Sequence, residues 1–234
     1  MRNVPSRERS ALRRLVLTCA FLLLCPLAGS AAPVAYDFTA TVDTIVDPGG
    51  VLAGSGLLVG GNFDGFYTVE STTLDIDPDP TAGQYDGALL TTTLQLGAFT
   101  MVLDPGSGST NRFWVVDGFD YGGTPIDGYA PVVIGADGTL GASVLSAGQL
   151  QVYLGSTDTT ILPSDAMPAS MPARPIGDWD QLTTVTVTGD VGGDTFQIGA
   201  TVSGFPTLPV PEPSTGVILA AGLAALAVGR RNAR

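Results

Sequence analysis

The densest group of chemistry-bearing side chains is Asp75-Ile76-Asp77-Pro78-Asp79-Pro80, with Asp86 a few residues on. Carboxylates two residues apart in an extended chain point the same way. Crowded like charges repel, and a hard cation such as Ca2+ relieves the repulsion. Offsets 1, 3, 5 and 12 echo the helix-flanked calcium loop, so Asp75, Asp77, Asp79 and Asp86 are candidate calcium ligands. Pro80 stands where that loop needs glycine, and no flanking helices are visible. The competing reading is a solvated turn, in which aspartate and proline serve backbone conformation. A second group is Asp117, Asp120 and Asp127 beside Trp114, Phe119, Tyr121 and Tyr129. Two carboxylates suffice for a glycosidase, and the rings would line a sugar platform. Against that, Asp117 and Asp127 open Asp-Gly steps typical of turns, and the aromatics would fill a core. Trp179, between Asp178 and Asp180, reads as a loop anchor.

What is missing narrows the chemistry further. The chain has neither histidine nor lysine, and its ten basic residues are all arginine. Ser-His-Asp triads, histidine metal ligands, lysine Schiff bases and P-loops are therefore excluded. Both cysteines, Cys19 and Cys25, lie in an apolar run near the N-terminus, so the middle of the chain has no disulfide and no thiol nucleophile. Between residues 31 and 209 only Arg112 and Arg174 face nineteen aspartates and Glu70. Phosphate backbones repel such a body, so nucleic acid is not an expected partner. A non-enzyme is expected, because any catalysis would have to work with carboxylates alone.

The elements that must position these residues read as strands. Residues 31–209 hold 27 glycines and 24 threonines, and short apolar or β-branched runs alternate with turn residues every 8–12 positions. Candidate strands are 34–46, 54–60, 63–71, 87–96, 98–104, 112–117, 130–135, 149–154, 183–189 and 194–202. The last two, joined through Asp190-Val191-Gly192-Gly193, form the clearest hairpin. Residues 158–178 read as a long excursion from the body. The expected fold is all-β, a single β-sandwich or jelly-roll-like domain.

The two ends carry addresses. Five arginines before position 15, the run LVLTCAFLLLCPL at 15–27 and the small residues Ala28-Gly29-Ser30-Ala31 make the three parts of a secretory signal peptide. Small residues at 28 and 30 place cleavage after Ser30. Leu24 argues against lipidation of Cys25. At the other end Val210-Pro211-Glu212-Pro213-Ser214 precedes an apolar run and then Arg230, Arg231 and Arg234. Pro213 suits a helix start, and the arginines oppose translocation. The run is shorter than the roughly 20 residues of a permanent span, as in processing signals whose tail is removed. The expected organisation is a signal peptide at 1–30, an extracellular β domain at 31–209 and a sorting segment with a short transmembrane helix at 210–234.

This tail resembles the PEP-CTERM sorting signal, a tail also labelled the ice-binding protein C-terminal domain. The resemblance covers about 25 residues with all three parts in order. It implies export from a Gram-negative, exopolysaccharide-producing bacterium and recognition by a membrane exosortase near Pro211-Glu212-Pro213. The Sec translocon and signal peptidase would act first. An inner-membrane intermediate would then pass to the outer surface or the extracellular matrix. Residues 57–99, with Phe63-Asp64-Gly65-Phe66-Tyr67, an Asp-Pro loop and a Thr-rich strand, are similar to a recurring segment of PEP-CTERM ectodomains. The expected role is structural or adhesive, in contact with extracellular polysaccharide. The alternative is a calcium-assisted carbohydrate-binding module.

Overall fold

The computed structural model describes residues 33–167 and 175–205. The chain divides into the units Met1–Ala32 and Pro33–Arg234, and every described residue lies in the second. The expected signal-peptide and tail helices fall outside the described residues.

Ten strands follow in order: β1 (Val34–Val46), β2 (Asn62–Val69), β3 (Ala82–Asp86), β4 (Leu89–Leu96), β5 (Phe99–Asp104), β6 (Thr110–Tyr121), β7 (Thr124–Leu140), β8 (Ser143–Ser156), β9 (Leu182–Val191) and β10 (Asp194–Gly204). Alternation of side chains sets their inner face. In β1, Tyr36, Phe38, Ala40 and Val42 are buried, while the residues between them face outward. β10 repeats the pattern with Phe196, Ile198, Ala200 and Val202.

All-β architecture is as expected, but the sheet closes on itself instead of forming a sandwich. The pairing runs β7-β5-β4-β2-β1-β10-β9-β8, and β8 pairs back onto β7, giving an eight-stranded antiparallel barrel. The length of β7 makes closure possible. One of its edges pairs with β8, from Asp127↔Ser156 to Leu140↔Ser143. Its other edge pairs first with β6 and then, at Asp137–Leu140, with β5. In a sandwich these edges would stay open, and closure satisfies their backbone groups. β3 pairs with the far side of β6, forming a two-stranded ribbon beside the barrel.

Many outward positions are polar, although Val46, Leu90, Val102 and Val144 are also exposed. Thr39 bonds Asp64, Thr41 bonds Asn62, and the Thr68 and Thr91 hydroxyls pair across β2 and β4. A lipid-facing barrel would carry an apolar outer band; this one is apolar inside.

Several strand limits differ from the sequence expectation. Residues 54–60 are a turn, not a strand. The Asp47 carboxylate accepts the N–H groups of Val51 and Leu52 and folds the segment back. Asp127-Gly128 and Asp137-Gly138 lie within β7 and make no turns. At these two glycines the strands come so close that an added Cβ would strike the carbonyls of Leu154 and Val102. Asp86-Gly87 does make a turn, and Gly118, at φ +64°, sits at a bulge in β6.

The described parts of the excursion after β8 cover one end of the barrel. Ile161, Leu162 and Trp179 join the core, with Met167 and Ile176 packed against it. Phe205, just past β10, meets Trp179 at 6.4 Å between ring centroids, so the chain leaves the barrel at this same end.

Candidate functional site

The Asp75–Asp86 segment lies between β2 and β4; its first residues run along the outer edge of β3, and Asp86 ends that strand. Its carboxylates form a relay of turns. Asp75 accepts the N–H groups of Asp77 and Gln84, Asp77 accepts from Asp79, and Asp79 accepts the N–H and hydroxyl of Thr81. The hydrogen bonds from Thr81 hold the Asp79 carboxyl below its usual pKa. Asp86 points elsewhere, in an ion pair of 2.6 Å with Arg112. Among the described residues no three acidic side chains are grouped as a metal site. Ile76 N–H donates to the Gln84 carbonyl, so the segment also covers the otherwise open edge of β3.

The second group is divided between faces. Trp114 lies on the outer face of the β3–β6 ribbon, where its Nε1 donates to Gln84 and the Arg112 guanidinium stacks 5.1 Å from its ring. Tyr121 is exposed at the tip of the β6–β7 hairpin, where Asp120 accepts the Gly123 N–H. Tyr129 points the other way, into the barrel. Asp127 is fully buried, and its two oxygens accept the N–H groups of Gly118 and Leu162, at 2.8 and 2.9 Å. It thus ties the β6 bulge, β7 and the end-covering loop together. Asp117 lies beside it, and burial, then the Asp127 charge, then that of Asp165, raise its pKa.

Sequence reasoning missed the group at the centre of this end. Tyr36 stacks on Tyr67 at 5.0 Å, Phe113 on Tyr129 at 5.9 Å, and Tyr129 meets Trp179 edge-on at 5.1 Å. The Tyr85 hydroxyl pins the covering loop by donating to the Asp165 carbonyl and accepting the Met167 N–H. Alternation of Tyr36 with Phe38 and of Phe63 with Tyr67 was the available signal. Trp179 is a loop anchor, as expected, and a core residue as well. At the opposite rim a groove of about 430 Å3 lies among Val51, Phe99, Leu140 and Val191.

The sorting residues Val210–Ser214 and the arginines 230, 231 and 234 lie outside the described residues. The chain is therefore a closed β-barrel domain with an address appended a few residues after its last strand. That address is shown: residues 209–234 match the PEP-CTERM protein-sorting motif, and the chain carries this signal. The motif implies export, targeting to the cell envelope or surface, and processing by an exosortase. No curated protein and no solved structure matches the chain.

Proposed function

We propose that the chain is an exported, non-enzymatic envelope or matrix protein whose barrel is delivered to the cell surface or the extracellular polymer by exosortase processing. The sorting motif at 209–234 carries this reading. Signal peptidase would remove residues 1–30 after export through the Sec translocon, and both cysteines would go with them. The apolar run before Arg230 and Arg231 would then pause in the inner membrane, presenting Pro211-Glu212-Pro213 just outside it. Neither proline has an N–H to donate, and each restricts the residue before it, so the sequence favours the extended backbone at Glu212 that a peptidase cleft requires. A closed barrel on an acidic body suits a structural or adhesive part in a hydrated polysaccharide matrix, since the barrel wall offers no open edge for aggregation.

The test is replacement of Pro211-Glu212-Pro213 by alanines, followed by immunoblot of fractionated cells. Full-length protein is expected to accumulate in the inner membrane with its barrel folded. Identical size and location of wild type and variant would make the motif a passive linker.

A further inference from the structure

Four interior side chains carry a polar atom with no hydrogen-bond partner among the described residues: the hydroxyls of Tyr67, Tyr129 and Thr92, and the Trp179 indole N–H. Each residue is at most 2% exposed. They come from β2, β7, β4 and the end-covering loop, yet they belong to one neighbourhood. Tyr36, Tyr67 and Thr92 occupy one row of the barrel wall, as directly opposed residues on β1, β2 and β4. Opposed residues share a face, so Thr92 sits inside next to Tyr67. Tyr129 joins through Tyr36, at 6.2 Å between centroids, and Trp179 joins through Tyr129. The buried carboxylate of Asp127 is turned to the backbone, holding the N–H groups of Gly118 and Leu162.

Buried donors and acceptors in native proteins almost always have partners, and a group of orphans in one neighbourhood marks a place for something else. We propose that this end of the barrel is an internal binding site for a small neutral guest whose oxygen accepts a hydrogen bond from the Trp179 N–H and bridges the hydroxyls of Tyr67, Tyr129 and Thr92. The indole N–H only donates, so the guest must accept; hydroxyls do both, so the guest can also donate to them. The aromatic walls favour a neutral guest over an ion, since an unpaired charge is costly to bury. Eight-stranded barrels have interiors that side chains fill or that hold one small ligand. Two sources fit this chemistry: ordered water, which typically makes about three such bonds, and a small neutral hydroxyl- or carbonyl-bearing molecule taken up by the exported protein.

Removing a hydroxyl distinguishes an occupied site from a dry one by sign. In an occupied site, Tyr67→Phe and Tyr129→Phe each remove a bond and lower the melting temperature of the protein recovered from exporting cells, by about 2–4 °C apiece. In a dry site the same changes relieve an unpaired group, and the melting temperature stays level or rises. A level or raised value overturns the proposal. Native mass spectrometry of the wild type separates the two sources: a retained organic mass identifies a captured molecule, and the bare chain mass with lowered variant melting temperatures identifies water. A crystal structure with these four groups bonded to atoms of the chain itself would also overturn it.

Discussion

Asp127 shows how much one side chain can hold in place. Its carboxylate accepts the Gly118 and Leu162 N–H groups, one on each oxygen. Asp127→Ala would strand both, and a buried unsatisfied group costs about 1–3 kcal/mol, so a loss of about 2–5 kcal/mol is expected in denaturant unfolding. Its neighbour Asp117 has a folded pKa raised above its ordinary 3.8 by burial and by the charges of Asp127 and Asp165. A raised acid favours the folded state when protonated, and that contribution fades as pH rises through the folded pKa. Asp117→Asn should therefore melt higher than wild type at pH 7, with the gap closing below pH 3.8, the ordinary value. The Asp180 carboxyl works in the opposite direction, because the Thr157 hydroxyl and N–H lower its pKa, so its contribution is lost in acid. For the Asp75–Asp86 segment, an ion at 100 times its dissociation constant would add about 2.7 kcal/mol. The carboxylates there already serve backbone N–H groups and Arg112, so equal melting temperatures in chelator and in millimolar calcium are expected.

At the scale of the element, β2 is the informative strand. Phe63, Gly65 and Tyr67 all face inward, and Gly65 lies opposite Phe38 in the register. A Cβ on Gly65 would strike the Phe38 ring. Gly65→Ala should cost about 1–3 kcal/mol, as overpacked cores do, readable as a shift of the denaturation midpoint. The Phe-x-Gly-x-Tyr spacing was visible in the sequence, but the ring that occupies the glycine's space comes from another strand. The same limit explains which parts of the fold were legible. β1 and the β9–β10 hairpin are plain from alternation and a Gly-Gly turn, because both depend on neighbours in sequence. β3 was not, since Ala-Gly-Gln-Tyr-Asp has no apolar period and is a strand only because β6 lies beside it. The Asp-Gly steps in β7 misled for a related reason: glycine permits a turn and also permits close approach of another strand, and only the partner decides which. Barrel and sandwich likewise share one alternation pattern and differ in whether the edges of β7 and β8 meet.

At the scale of the whole molecule, the first strand pairs with the last. Thr39 lies opposite Gly204 and Val46 opposite Gln197, so the ring cannot shut until nearly all of the body has been delivered. Loop closure over such a separation is slow compared with the local hairpins. A chain crossing a membrane from its N-terminus would thus hold β1 with one edge unfilled through most of its passage, and the sorting motif at 209–234 follows almost at once after the strand that fills it. If the tail holds the chain at the membrane, as proposed above, it would act as a timer: the polypeptide would have an interval to complete its circle before release, away from neighbours whose own unfilled edges could capture it. A body cut back to end after Gly193, compared with one ending after Phe205, loses β10 and should leave both β1 and β9 open, be cut by protease under conditions where the longer body resists, and associate with itself.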